Sequence, residues 1–306
     1  MQRSVKDYVI ISLKGVAMGA ADAVPGVSGG TIAFISGIYE ELISTISNVN
    51  LALFKTFFQD GFGPFWKRLN GNFLLALISG ILISFVSFMR LAKYLLENHP
   101  VLIWSFFFGL IVASIYFVGK QITRWSPAVV IFLILGALIA YYVSNLPVLA
   151  ANNNNSFLFF AGALAICAMI LPGISGSFIL IILGAYKTLS DALHDFDFTR
   201  ITIFASGALI GLLSFSHFLK WLFKHYHNLT LAILTGFIFG SLNKVWPWKK
   251  TLTWNLNSKG IKEPLLQKSV SPLSFQGDNH LVWALVLMLI GFLIIFILEK
   301  VGSKKE

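Results

Sequence analysis

Two short stretches hold the residues best suited to chemistry, Val24-Pro25-Gly26-Val27-Ser28-Gly29-Gly30-Thr31 and Leu171-Pro172-Gly173-Ile174-Ser175-Gly176-Ser177. In each, a proline and glycines interrupt an apolar segment, and a serine stands between the glycines. In hydrocarbon every backbone group that such a break leaves unpaired must be satisfied by protein, water or a ligand. Gly26, Gly29 and Gly30 precede a helical segment predicted over 31–46, and Gly173 and Gly176 precede another over 178–193. Free N–H groups at a helix N-terminus, backed by the positive end of the helix dipole, cradle anions. Ser28, Ser175 and Ser177 add hydroxyls and Thr31 opens the first helix, so the pair of breaks suits a phosphate headgroup. The competing reading is that these glycines only let helices approach closely.

Charged side chains near the breaks are few. Asp22 lies three residues before Pro25, inside the apolar region. A carboxylate there is either a proton carrier, a partner for a cation, or a cap that accepts backbone N–H bonds. Glu40 sits at the far end of the following half-helix, where it reads as a solvated face or a second proton-coupling candidate, with Lys187 as its match in the second stretch. Arg90 with Lys93, and His217 with Lys220, occupy equivalent places; they either snorkel to headgroups or, for Arg90, supply a bidentate phosphate contact. The histidines show no ligand spacing, so no metal site is predicted, and no cofactor is called for. Direct ATP drive has no glycine loop with a following lysine to support it. The lone Cys167 reads as a small buried hydrophobe and excludes an internal disulfide.

The elements that must position these residues are membrane helices. Hydrophobic residues make up 57% of the chain and charged residues 12%, with a mean hydropathy of +0.79, far outside a soluble domain. The net charge of +10 is expected to face anionic headgroups rather than nucleic acid, and no cleavable signal peptide is predicted. Trp104, Trp125, Trp221, Trp246 and Trp283 lie near the ends of apolar segments, where interfacial rings belong.

Segments 8–24 and 31–46 are each near the minimum of about 17 residues for a crossing. They are therefore predicted as a re-entrant hairpin with its tip at Pro25 to Gly30. Spans are predicted over 73–95, 101–118 and 127–148, a second hairpin over 156–193, and further spans over 201–223, 229–245 and 281–298. Residues 246–280, lysine-rich with Pro247, Pro264 and Pro272, read as an extramembrane loop.

The pattern repeats. Pro25, Gly26, Ser28, Gly29, Gly37 and Tyr39 fall on Pro172, Gly173, Ser175, Gly176, Gly184 and Tyr186 at one offset; Ser79, Gly80, Lys93 and Gly109 fall on Ser206, Gly207, Lys220 and Gly236 at another. The expected fold is a single all-α polytopic membrane domain, 1–306, built of two repeats, 1–149 and 150–306. Each repeat holds one re-entrant helical hairpin and three transmembrane helices. Three crossings per repeat invert the second relative to the first, so the hairpin tips can meet near the midplane. The distribution of lysine and arginine puts the N-terminus in the cytoplasm. The 246–280 loop disagrees: it would be outside, with Lys244, Lys249, Lys250, Lys259, Lys262 and Lys268 in or beside it.

The run Gly19 to Thr31 with Gly37-Ile38-Tyr39-Glu40, together with Leu171 to Ser177 and Leu183-Gly184-Ala185-Tyr186, closely resembles the PopT-like polyprenyl-phosphate transporter family over almost the full chain. The resemblance implies a bacterial inner-membrane protein that flips undecaprenyl phosphate, the lipid carrier of surface-polymer synthesis, across the bilayer for reuse. It carries over to Asp22 through Gly30, Glu40, and Pro172 through Ser177; Arg90 and Lys187 rest on the physical argument alone. One rival is a small-anion channel or secondary transporter for chloride or inorganic phosphate. An intramembrane phosphatase is a weaker rival, because no histidine lies near either motif.

Overall fold

The computed structural model describes residues 3–22, 28–149, 152, 154–256 and 262–302. Pro25 and Gly26, expected at the first tip, lie outside the described residues. The chain is a mostly helical multi-pass membrane protein. Among the described residues, helices Pro100–Lys120, Pro127–Ser144 and the run Phe198–Val245 are long and apolar enough to cross a bilayer.

Helix α1 (Val5–Asp22) runs to the first break, followed by α2 (Gly29–Ile35) and α3 (Tyr39–Ser47). Here the structure corrects the single helix expected over 31–46. Gly37 adopts φ +73°, Ile38 N–H donates to Ala33 O at 3.0 Å and Gly37 N–H to Phe34 O at 3.2 Å. This is a Schellman cap, which ends a helix wherever a glycine takes the left-handed conformation. The second half repeats it. Between α10 (Gly176–Ile182) and α11 (Tyr186–His194), Gly184 has φ +68°, and Ala185 and Gly184 donate to Leu180 O and Ile181 O, each at 2.9 Å. The two helices bend by 106° there. A Cβ at Gly37 would meet nothing within 4 Å, so Gly37→Ala isolates backbone strain. It should lower stability by about 1–2 kcal/mol, read as a lower unfolding midpoint in detergent, with Gly37→Asn closer to wild type.

The segment between the first break's helices and the first long span folds as α4 (Leu51–Asp60) and α5 (Phe62–Arg68). Then come α6 (Gly71–Asn98), α7 (Pro100–Lys120), α8 (Pro127–Ser144) and, after the polar tract, α9 (Asn155–Ile170). The next two predicted spans are one continuous element, α12 (Phe198–Gly240), kinked at Tyr226 (φ −134°, ψ 45°). No proline causes the kink. Thr230 Oγ1 donates to the Tyr226 carbonyl at the kink at 2.9 Å, and Asn228 Oδ1 accepts from Thr123 N–H, in the segment between α7 and α8, at 3.1 Å, which ties the kink to that segment. The short α13 (Leu242–Val245) and the last helix α14 (Leu281–Gly302) complete the bundle.

The 246–280 segment corrects the all-α expectation. It contains an antiparallel pair, β1 (Lys249–Leu256) and β2 (Lys262–Ser269), running from Lys249 opposite Ser269 to Leu256 opposite Lys262 with an irregularity in the register at Thr253. The threonines and tryptophan of Thr251-Leu252-Thr253-Trp254 favour a pleated surface. The base of the hairpin is anchored by indoles: Trp246 Nε1 donates to Val270 O and Trp248 Nε1 to Asn279 O, both at 2.9 Å. Trp246 also packs edge-on against Phe108 of α7.

Glycines set the helix pairing. Gly15 of α1 faces the Leu77 carbonyl of α6 and Gly80 faces that of Ser12; Gly162 of α9 faces Phe204 O of α12 and Gly207 faces Phe159 O. These contacts recur at the sequence offsets of the repeat. The third spans then cross over. In α7, Gly109 abuts Met288 of α14, while Gly291 of α14 abuts Phe106; in the later part of α12, Gly236 abuts Leu133 of α8, while Gly136 of α8 abuts Ile233. Small residues permit such backbone contact in membranes.

Candidate functional site

The two breaks touch. Thr31 Oγ1 of α2 accepts the Gly173 N–H at 2.9 Å, and Ser28 Oγ donates to Met169 O, the last turn of α9, at 3.2 Å. A Cβ on Gly30 would come within 2.7 Å of Ile170 O, so only glycine lets the first break seat against the end of α9. Ser28, Gly29, Gly30 and Thr31 are all buried.

The described residues that follow the first break bond among themselves and with Asp22. Asp22 Oδ1 accepts from Gly29 N–H at 2.7 Å, Ser28 Oγ accepts from Gly30 N–H at 3.1 Å and Ser28 O from Thr31 N–H at 2.9 Å. Asp22 thus takes the capping role, holding a negative charge where the α2 dipole favours one. An anion entering this cradle would have to displace a carboxylate.

The second break is built differently. Met169 stands at the repeat position of Asp22, so no carboxylate closes it. Pro172 and Gly176 are buried, Ser175 is half-buried and Ser177 is exposed. Ser175 makes no side-chain cap; its Oγ lies 2.9 Å from Ser177 Oγ. The opening of α10 therefore presents two hydroxyls and uncapped backbone donors toward its surroundings.

Other predicted site residues lie away from this contact. Glu40 is exposed and pairs with His227 Nδ1 at 3.8 Å, so its partner is not Lys187, which is exposed on α11. Glu40 lines a shallow cavity of about 300 Å³ with Ser44, Lys220, Phe223 and Lys224. Arg90 is exposed on α6, and no ion-pair partner is found for it among the described residues. No cluster of metal ligands occurs among the described residues.

Several groups escaped sequence reasoning. Lys14 Nζ donates to Ser36 O at 2.5 Å, placing a cation at the C-terminal end of α2, where the dipole is negative. Arg3 forks onto both oxygens of Glu41 at 2.6 Å, and Asn70 Nδ2 donates to the same carboxylate at 2.8 Å, fastening the start of α1 to α3. The Tyr39 hydroxyl is buried with no hydrogen-bond partner among the described residues, between Phe34 and Phe223. Beside the second break, Lys244 Nζ lies 3.9 Å from the Phe178 ring centre and Lys249 Nζ 3.7 Å from that of Trp104. Burial, and secondarily the charge of Lys244, brings the Lys249 ammonium down to about 7. A helical period carries no information about contacts between distant segments, so only the residue types hinted at these roles.

Comparison with known proteins gives the chain a family. Residues 18–263 match the family described as "Undecaprenyl phosphate translocase-like". A "Polyprenyl-phosphate transporter" of Vibrio cholerae is 44% identical, covering 99% of this chain and 100% of the relative. A protein of the same name from Staphylococcus aureus is 29% identical, covering 96% and 97%. No solved structure matches. With the family pattern running through both breaks and across most of the helices, the chain belongs to the undecaprenyl phosphate translocase-like family.

Proposed function

We propose that the protein is a flippase that returns undecaprenyl phosphate across the bacterial inner membrane, working by alternating access rather than by catalysis. The observation that carries this reading is the hydrogen-bonded contact between the two breaks through Thr31, Gly173, Ser28 and Met169. On this reading 1–149 and 150–306 are inverted repeats, the helices around each break form re-entrant hairpins, and the N-terminus is cytoplasmic. The recurring glycine contacts support the two-repeat part. The hairpins enter from opposite faces and offer one polar resting place in the hydrocarbon.

The phosphate is held first at the second break, by Ser175, Ser177 and the donor of Gly176, where no carboxylate competes, and the Gly173 N–H joins once Thr31 Oγ1 gives it up. Handover to Ser28, Gly29, Gly30 and Thr31, with Pro25, Gly26 and Pro172 kept as site residues on sequence grounds, requires Asp22 to release Gly29. Protonation of Asp22 would do this and link transport to a proton, whereas Glu40, out at the His227 pair, has no part in that step. Arg90 would meet the headgroup only at the rim. The polyprenyl tail stays in lipid, because bare phosphate, not the tail, is what hydrocarbon rejects. The exchange of α8 and α14 between the repeats ties the two together, so the moving parts are the hairpins and not the repeats as rigid bodies.

The test is reconstitution in liposomes with labelled polyprenyl phosphate in one leaflet. Wild type should equilibrate the label between leaflets, and Ser175→Ala with Ser177→Ala should slow it about tenfold, an unmade hydrogen bond to a charged group being worth about 1.5–3 kcal/mol. Movement of chloride or inorganic phosphate instead of the lipid would favour the small-anion rival.

A further inference from the structure

The lysines that break the positive-inside pattern are not scattered over the loop. Lys244 ends the membrane run of α12 and α13, and Lys249 begins β1. Lys249 Nζ donates to the Lys244 carbonyl at 2.5 Å, which ties the strand to the end of the helix. The Lys244 ammonium sits over Phe178, the residue next to Ser177 in α10. The Lys249 ammonium sits over Trp104 of α7. Neither has a carboxylate partner among the described residues, and the groups facing them from α7 and α10 are aromatic rings. Ring faces hold a cation in place without neutralising it, and an anion bound beside the pair would favour the charged form of both lysines. Two partly desolvated ammoniums side by side repel one another unless an anion joins them.

This charge stands beside the open break and not the closed one. Gly173 packs against Phe237 and Ile238 of α12, and the same helix run continues two turns to Lys244 beside Phe178. The repeat gives the first break nothing comparable, since the 246–280 segment has no counterpart there.

We propose that Lys244 and Lys249 form the receptor for a phosphate monoester at the mouth of the second break, capturing the lipid headgroup before it passes to Ser175 and Ser177. The inference rests on the flippase reading and deepens it: the hairpin of β1 and β2 is the structural support that fixes Lys249 against Trp104. Two point charges suit a doubly charged terminal phosphate better than a diester, so the site selects a monophosphate end group over the diester headgroups of ordinary phospholipids.

The test uses the purified full-length protein in detergent and farnesyl phosphate as a short soluble probe, with farnesol as the uncharged control. Lys244→Gln with Lys249→Gln should weaken farnesyl phosphate binding by about tenfold or more and leave farnesol binding unchanged, while the double arginine variant stays within about threefold of wild type. Glutamine variants that bind the probe as wild type does would overturn the proposal. If the double glutamine variant elutes as aggregate, Lys249→Gln alone and the arginine pair decide it by the same comparison. Displacement of the probe by an equal concentration of inorganic phosphate would assign the pair to the free anion and overturn the lipid assignment; no displacement supports it. Wild type that binds farnesyl phosphate no better than farnesol would bring down the flippase reading itself, an outcome distinct from lysine variants that behave like an active wild type.

Discussion

Asp22→Ala is expected to lower the transport rate about ten- to a hundredfold, and Asp22→Asn to tell which of the carboxylate's roles matters. The alanine leaves the Gly29 N–H, now bonded at 2.7 Å, buried with no acceptor, a loss of about 1–3 kcal/mol, and the start of α2 loses the charge that its dipole favours. The Gly29 backbone packs directly on the Asp22 side chain, so the cavity opened falls at the contact between the breaks. Asparagine keeps an acceptor of nearly the same shape. If asparagine restores most of the rate, Asp22 is a cap; if asparagine is as slow as alanine while its unfolding midpoint matches wild type, the ionisable proton is what transport needs. Rates would be read in liposomes with and without an imposed pH difference. A wild-type rate indifferent to that difference removes proton coupling and leaves the cap.

The second large effect concerns the scaffold. Gly109 and Gly236 hold equivalent places, one against α14 and the other against α8, each with a backbone carbonyl occupying the space a Cβ would need. Alanine at either is expected to destabilise the protein by about 1–3 kcal/mol through overpacking, and leucine to prevent recovery of monodisperse protein. Gly63, whose Cβ would meet nothing within 4 Å, is the matched control, and Gly63→Ala should leave the midpoint unmoved. Equal losses at Gly109 and Gly236 would show that the crossed pairs α7–α14 and α8–α12 carry similar weight. A loss at only one would mean that the two crossings are not equivalent in the folded protein.

Much of the architecture was legible because membranes impose simple rules. Apolar runs of sufficient length marked α7, α8 and both parts of α12, and the proline and glycine interruptions marked where α2 and α10 begin. What the sequence concealed was conformation at single residues. Gly37 and Gly184 are matching positions in the repeat, yet a glycine within an apolar run is as compatible with tight packing as with a helix stop; only their positive φ decides. The kink at Tyr226 has no proline to announce it. The strands at 249–256 and 262–269 were hidden by lysines and by Pro264, which usually argue against a strand. At the site, residue types pointed to both breaks but treated them as equal. Their difference comes from Asp22 folding back onto Gly29 on one side, with Met169 in the corresponding place on the other. The pairing of Lys244 and Lys249 with aromatic rings needed the return of β1 toward α7, which no local pattern encodes.

The crossed third spans bear on how the protein is made. Helix α8 leaves the ribosome early, but the surface that receives it, the later part of α12, follows only after the second break has been synthesised. Until then the Gly136 face of α8 has lipid or an insertion factor for company, and α7 waits longer still for α14. Pairing in the membrane therefore waits for the second half of the chain, α8 with α12 first and α7 with α14 after it, and a chain stalled before α14 would be held with the Gly109 face of α7 unpaired and exposed to quality-control proteases.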